Sequence, residues 1–254
     1  MIERTRQQWE KLGESDPYWA VLTNPKMKND RWDRDAFFAS GEKEFHRFLR
    51  QIHEADLAIH YGTALDFGCG VGRLSRPLAA KFDQVTAVDI SNSMLAEAKS
   101  ANQHIDNITF IHNTEPNLHC IPDSSVDFIL SSKVLQHMRV HNQQEYLRDF
   151  CRILRPGGIM ALEVHTNYSY LSLRGWFYFL TGPRTAPFLH LLGKRIGKDH
   201  PLFWMDMHPL SRRKILAILR QENIPLVARE KHQAPRNNGV VHERIIAQKA
   251  VQPT

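Results

Sequence analysis

Apolar positions along the chain follow two different periods, and the change between them marks its organisation. Residues 41–60 place Phe45, Phe48, Leu49, Ile52 and Leu57 at helical spacing, which predicts a helix. From residue 63 the pattern shortens. The apolar runs 63–67, 84–89, 108–112, 126–131 and 158–164 read as strands buried on both faces. Residues 72–81, 93–102 and 143–154 read as the helices between them, the last preceding the Arg155-Pro156-Gly157-Gly158 turn. Alternating strands and helices predict an α/β fold with a parallel sheet of right-handed crossovers.

The flanks differ. Residues 2–13 read as a short helix, and 16–35, with Pro17, Pro25, Trp19 and Trp32, as an ordered loop. The alternation breaks at His165. Residues 166–210 form an aromatic, basic insertion punctuated by Pro and Gly. A helix over 211–221, with Ser211 as N-cap, resumes the pattern. Strands at 226–230 and 240–248 then predict an antiparallel hairpin at the sheet edge. The expected division is a leader, 1–60, and a main domain, 61–254, carrying the insertion.

Composition narrows the class. The chain has 254 residues, 42% hydrophobic and 24% charged, which excludes a disordered or collagen-like chain. Cys69, Cys120 and Cys151 are few, odd in number and without C-x-x-C spacing, which argues against a disulfide framework or a cysteine zinc site. No histidine spacing suggests a metal ligand set either. The polar N-terminus is unlike a secretory signal, and no stretch approaches the roughly 20 apolar residues of a membrane span. These features predict a cytoplasmic protein, monomeric or homodimeric. The net charge of +6 is uneven: residues 165–214 carry eight basic and two acidic groups, and nine of the 24 aromatic residues.

The central chemical signal is Asp66-Phe67-Gly68-Cys69-Gly70-Val71-Gly72-Arg73. A strand runs into closely spaced glycines and then opens a helix, which lets a nucleotide-like ligand approach the backbone. Asp89 ends the next strand, where a carboxylate can accept hydrogen bonds from both ribose hydroxyls.

The D-x-G-C-G-x-G pattern resembles motif I of the class I S-adenosylmethionine (SAM) methyltransferases. Val88-Asp89-Ile90-Ser91 with Met94, Pro122–Ile129, Ser131–His137 and Leu154–Gly158 resemble their later motifs in order, so the resemblance covers roughly residues 62–165. It implies a Rossmann-like doubly wound sheet of seven strands, order 3-2-1-4-5-7-6, with the last strand antiparallel. It implies SAM as cofactor and S-adenosylhomocysteine (SAH) as product. Asp66, Gly68, Cys69, Gly70, Gly72 and Arg73 would hold the methionine end, Asp89 the ribose, and Ile90 and Met94 the adenine. Where many relatives place an acid beside the adenine amine, this chain has Asn113-Thr114-Glu115. Ser131 would present a backbone carbonyl to the methionine amine.

Methyl transfer from a sulfonium needs alignment, and a base only where the acceptor must lose a proton. His137 and His165 follow strands four and five and are the candidate bases, which slightly favours O-methylation. The insertion offers Tyr168, Arg174 and Trp176 as substrate contacts. Three readings of it stay open: a pocket or lid for a small aromatic or amphiphilic acceptor, a small core of its own, or a peripheral contact with a membrane surface or RNA. Asp16–Leu22 and Trp32–Gly41 resemble a leader found in a subset of bacterial SAM methyltransferases. Two readings of Trp19, Trp32, Phe37 and Gly41 stay open: a lid that closes over the cofactor, or the packing of a helix against the sheet. No D/N-P-P-Y loop and no Pro-Cys pair is present, which argues against DNA as acceptor. A non-catalytic SAM-binding subunit and a nicotinamide oxidoreductase are the competing readings, and the D-x-G-C-G spacing argues against the second.

Overall fold

The computed structural model describes residues 2–168, 207–233 and 240–251. Its strands are β1 (Thr63–Phe67), β2 (Gln84–Asp89), β3 (Ile108–His112), β4 (Val126–Ser132), β5 (Leu154–Tyr168), β6 (Leu226–Gln233) and β7 (Val240–Gln248). They form one sheet in the order β3-β2-β1-β4-β5-β7-β6. The first five pair in parallel, and β7 runs antiparallel between β5 and β6. This is the expected order, and the hairpin does close the sheet edge.

Successive strand residues face opposite sides, so each strand feeds two cores. Ala64, Phe128, Leu130, Ile159, Ala161 and Ile246 pack against Phe45, Phe48 and Ile52 of helix α3 (Arg34–Glu54). Leu65, Ile129, Met160, Leu162, Ile245 and Ala247 face the other way. There they meet Tyr146, Leu147 and Phe150 of α6 (Val140–Ile153) and Ile215, Ile218 and Leu219 of α7 (Arg212–Gln221). Burying each large side chain contributes about 1.5–3 kcal/mol, which explains the uninterrupted apolar runs.

The leader is more regular than its punctuation suggests. Helix α1 spans Ile2–Ser15, and α2, Pro17–Val21, lies inside the stretch read as loop. Pro17 occupies the first turn, where its missing N–H costs nothing. Asp16 caps this helix by accepting from the Trp19 N–H at 3.3 Å, and its other oxygen accepts from Asn29 and Asp30 at 2.6 and 3.2 Å. Helix α3 begins at Arg34, not 41, because Asp33 caps it through the Ala36 N–H at 2.8 Å; it ends at Glu54, before 60.

Other boundaries shift for local reasons. The helix expected over 72–81 is reduced to α4 (Ser75–Ala79), since the glycine turn occupies the residues before it. Helix α5 spans Asn92–Ala101 with Ser91 as a true N-cap on the Met94 N–H. Ser211 stands at the N-cap position of α7 but makes no side-chain capping bond. Strand β5 runs on past 164 to Tyr168, with a register shift against β7 between His165 and Asn167.

Candidate functional site

A cavity of about 580 Å³ opens over the C-terminal ends of β1, β2 and β4, a size typical of ligand pockets. Its floor is the turn after β1. Gly68 has φ +74°, and a Cβ there would meet the Val134 side chain at 2.4 Å. Gly70 has φ +54°, and its N–H donates to Asp89 Oδ2 at 2.8 Å. The Ser91 N–H donates to Asp89 Oδ1 at 2.9 Å. The Ile90 N–H adds a third backbone donor, so the carboxylate is held from the protein side at the cavity edge, where a ligand hydroxyl could donate to it. Burial raises the Asp89 pKa, and the backbone donors offset part of that rise.

Asp66 sits on the same floor. Its carboxyl is buried and accepts from Ser75 Oγ at 2.6 Å. Burial pushes its pKa up to about 7; the Ser75 hydroxyl and Arg73 oppose this, while Asp89 and Glu44 add to it. A cationic ligand group beside Asp66 would favour the ionised form. Arg73 also reaches the cavity, but its guanidinium is committed to Glu44 of α3 at 2.9 Å in a buried pair. Glu44 in turn accepts from Ser132 Oγ at 2.5 Å. Gly41 lets α3 approach this closely, since a Cβ there would lie 2.2 Å from the Arg73 carbonyl oxygen. Cys69 lines the cavity, and burial drives its thiol well above the ordinary value, which removes thiolate chemistry.

The leader forms the roof. Thr5 and Trp9 of α1 and residues Ala20, Val21, Leu22, Thr23 and Pro25 line the cavity. Trp9 meets His137 edge to face, with centroids 5.1 Å apart. Glu10 fastens α1 to the N-terminus of α5, accepting from Asn92 N at 2.8 Å, Ser93 N at 3.0 Å and Ser91 Oγ at 3.0 Å. Trp19, Trp32, Phe37 and Gly41 are not in the lining. Trp19 is buried with its indole N–H on the Asn24 carbonyl, and Trp32 and Phe37 pack with Tyr18, Phe38 and Met94 beneath the roof.

Of the residues singled out from sequence, Asp66, Gly68, Cys69, Gly70, Arg73, Asp89, Ile90, Asn113 and His137 meet at this cavity. Others lie elsewhere. Met94 is wholly buried in the leader core. Gly72 supports the turn at φ +78° from behind the lining. Thr114 and Glu115 are exposed, and the Asn113 side chain folds their loop by bonding Glu115 N and Asn117 O. Ser131 is buried and outside the lining. His165 is buried off the cavity with Nε2 2.9 Å from the Asn167 carbonyl oxygen. Burial, then the neighbouring His242, lowers its pKa to about 3, so it is a poor base. Tyr168 ends β5 in register with Val240, while Arg174 and Trp176 lie outside the described residues.

Sequence reasoning missed Trp9, Val21, Leu22, Lys133, Gln136, Met207 and His242 in the lining. Gln136 and Lys133 stood inside the motif after strand four, and Val21 and Leu22 inside the leader pattern; Trp9, Met207 and His242 come from outside any recognised motif. Among the described residues no group of three His, Cys, Asp or Glu is placed to hold a metal ion. No helix among them is long and apolar enough to cross a membrane.

Comparison with known proteins agrees with this geometry. Residues 65–162 match the family described as "Methyltransferase domain". Trans-aconitate 2-methyltransferase of Deinococcus radiodurans is 31% identical over 114 residues, 45% of this chain and 42% of that protein. Malonyl-[acyl-carrier protein] O-methyltransferase of Salmonella typhimurium is 30% identical over 142 residues, 54% of each chain. The chain thus spans about half the length of the curated relatives it matches. Among other relatives are an N- and an S-methyltransferase. Magnesium protoporphyrin IX methyltransferase from Synechocystis, solved with bound SAH, superposes with a TM-score of 0.63, covering 98% of this chain and 100% of that one at 16% identity. Its likeness concerns the fold. Motifs and family match coincide over the same residues, and the strand order is the one expected: residues 65–162 carry a methyltransferase domain of the class I SAM-dependent kind.

Proposed function

We propose that this protein transfers a methyl group from SAM to a small, partly aromatic or amphiphilic acceptor, with oxygen as the favoured receiving atom. The observation that carries the reading is the Asp89 carboxylate, held by the backbone N–H groups of Gly70 and Ser91 at the edge of the cavity. Asp89 would bind the ribose hydroxyls, and Asp66 would face the cationic amine of the methionine end. Ile90 and Asn113 would border the adenine. When bound, SAM supplies an electrophilic methyl on a sulfonium.

The chain's own residues supply alignment and exclusion of water. The β4 side of the cavity holds His137, whose ring is steadied by Trp9. His137 would take a proton or a hydrogen bond from an acceptor oxygen. The leader closes the site as a lid through Trp9, Val21 and Leu22, and Glu10 acts as its latch. The preference for oxygen rests on His137; the relatives' names span O-, N- and S-methyltransferases.

Incubating the protein with SAM carrying a tritiated methyl group and a deproteinised cell extract tests the reading. Label is expected to move into small molecules, and to stop moving in the Asp89→Ala variant. SAM binding without transfer to any acceptor would favour a non-catalytic SAM-binding subunit instead.

A further inference from the structure

The sheet order divides the cavity. Asp66, the glycine turn, Asp89, Ile90 and Asn113 belong to the β3-β2-β1 side. Ser132, Lys133, Gln136, His137, Met207 and His242 belong to the β4-β5-β7 side. No carboxylate lines the second side among the described residues, whereas an ammonium and two imidazoles do.

Lys133 is the unusual member. It follows β4 with φ +62°, a left-handed conformation that costs a non-glycine residue free energy. The turn is fixed by its N–H on the Glu163 carbonyl at 2.9 Å. Behind it lie two buried carboxylates, Glu44 and Glu163, at 3.9 and 3.3 Å from Nζ. Each already has its own closer arginine, Arg73 at 2.9 Å and Arg244 at 3.1 Å. Arg244 also reaches Glu230, whose side chain is half exposed on the far side. The side chains of Glu44, Glu163, Arg73 and Arg244 are all under 10% exposed, while that of Lys133 is 43% exposed. The members of this network that touch the cavity, Arg73 and Lys133, are both cations. An ammonium has three donors, and the carboxylates behind Lys133 use at most two.

From this arrangement we infer that the acceptor is a carboxylic acid bound as its carboxylate, with Lys133 as the specificity-determining contact. The inference rests on the methyltransferase reading above. The balance is simple. A carboxylate oxygen forms a bond to the methyl carbon as the sulfur–methyl bond breaks. The bonding pair stays on sulfur, giving a neutral methyl ester and neutral SAH from an anion and a sulfonium. No proton is lost, so no general base is required, and His137 orients the second carboxylate oxygen.

Two measurements test it. Label from methyl-tritiated SAM incorporated into a deproteinised cell extract is treated with alkali, which hydrolyses methyl esters to volatile methanol but spares ethers, amines and thioethers. The label is expected to be alkali-labile; transfer into alkali-stable products would overturn the inference and leave the methyltransferase reading standing. No transfer at all would overturn both. Lys133→Met should lower kcat/KM for the labelled acid by about ten- to a hundredfold. Calorimetric SAH affinity should stay within about twofold. Lys133→Gly removes the amine while relaxing the positive φ, so it should match Lys133→Met while folding at least as stably. Unchanged kcat/KM in both variants, or a matching loss of SAH affinity that puts the amine on the cofactor's own carboxylate, would overturn the assignment.

Discussion

The Gly70 N–H and the Asp89 carboxylate meet at 2.8 Å, tying the turn after β1 to the end of β2. The same glycine lies under the leader, where an added Cβ would sit 2.8 Å from Val21 Cγ2. Gly70→Ala should therefore weaken both the turn and the roof. The left-handed conformation alone costs about 1–2 kcal/mol, to be read by urea denaturation. Adding Val21→Ala should recover only the part due to crowding.

Glu10 caps α5 from another helix, through the N–H groups of Asn92 and Ser93 and the hydroxyl of Ser91. Glu10→Ala should cost about 0.5–2 kcal/mol, as loss of a cap does, and should speed SAH release in a stopped-flow chase. Burial raises the Glu10 pKa, but these donors outweigh it and the net shift is downward. The latch is therefore fully engaged above the ordinary carboxylate range and lost as the pH falls through the lowered value. SAH release should be independent of pH near neutrality and accelerate only in acid.

His165 has the opposite role to that of a base. Its folded pKa of about 3 lies below the ordinary histidine value, so the unfolded chain binds more protons between the two. Its neutral burial contributes stability above about pH 6.5 that is lost as the pH falls. Measured as the difference between wild type and His165→Asn, this should amount to a few kcal/mol across that window. The pH dependence of turnover above neutrality should stay where it was.

The Arg73–Glu44 pair is buried on both sides and links the glycine turn to α3. Arg73→Met or Glu44→Gln alone leaves a buried charge without its partner and should cost about 3–5 kcal/mol; the double variant should cost less than the sum of the two. Thermal denaturation of the four proteins closes the cycle.

Much of the fold was legible because strands buried on both faces are continuous apolar runs: 63–67, 84–89 and 108–112 coincide with β1, β2 and β3. The glycine turn and Asp89 were legible because backbone geometry restricts what can stand there. The leader was harder to read. Its Pro17 looked like a breaker, yet it opens a helix that Asp16 caps, and Asp33 starts α3 well before its apolar stripe. Met94 fits its motif and His165 was read as following strand five, but both are buried, since packing by the leader and by β7 decides which way they face. Trp9 and His242 reach the cavity through tertiary contacts between segments far apart in sequence, which no local pattern records.

The central claim is that Asp89 and the turn beneath it form the cofactor site. Calorimetric titration of SAM and SAH into wild type and Asp89→Ala tests it most directly. The account predicts one-to-one binding in wild type and an affinity loss of about tenfold or more in the variant, the scale of a charge-assisted hydrogen bond. Absence of binding in wild type, or equal affinity in both proteins, would contradict it.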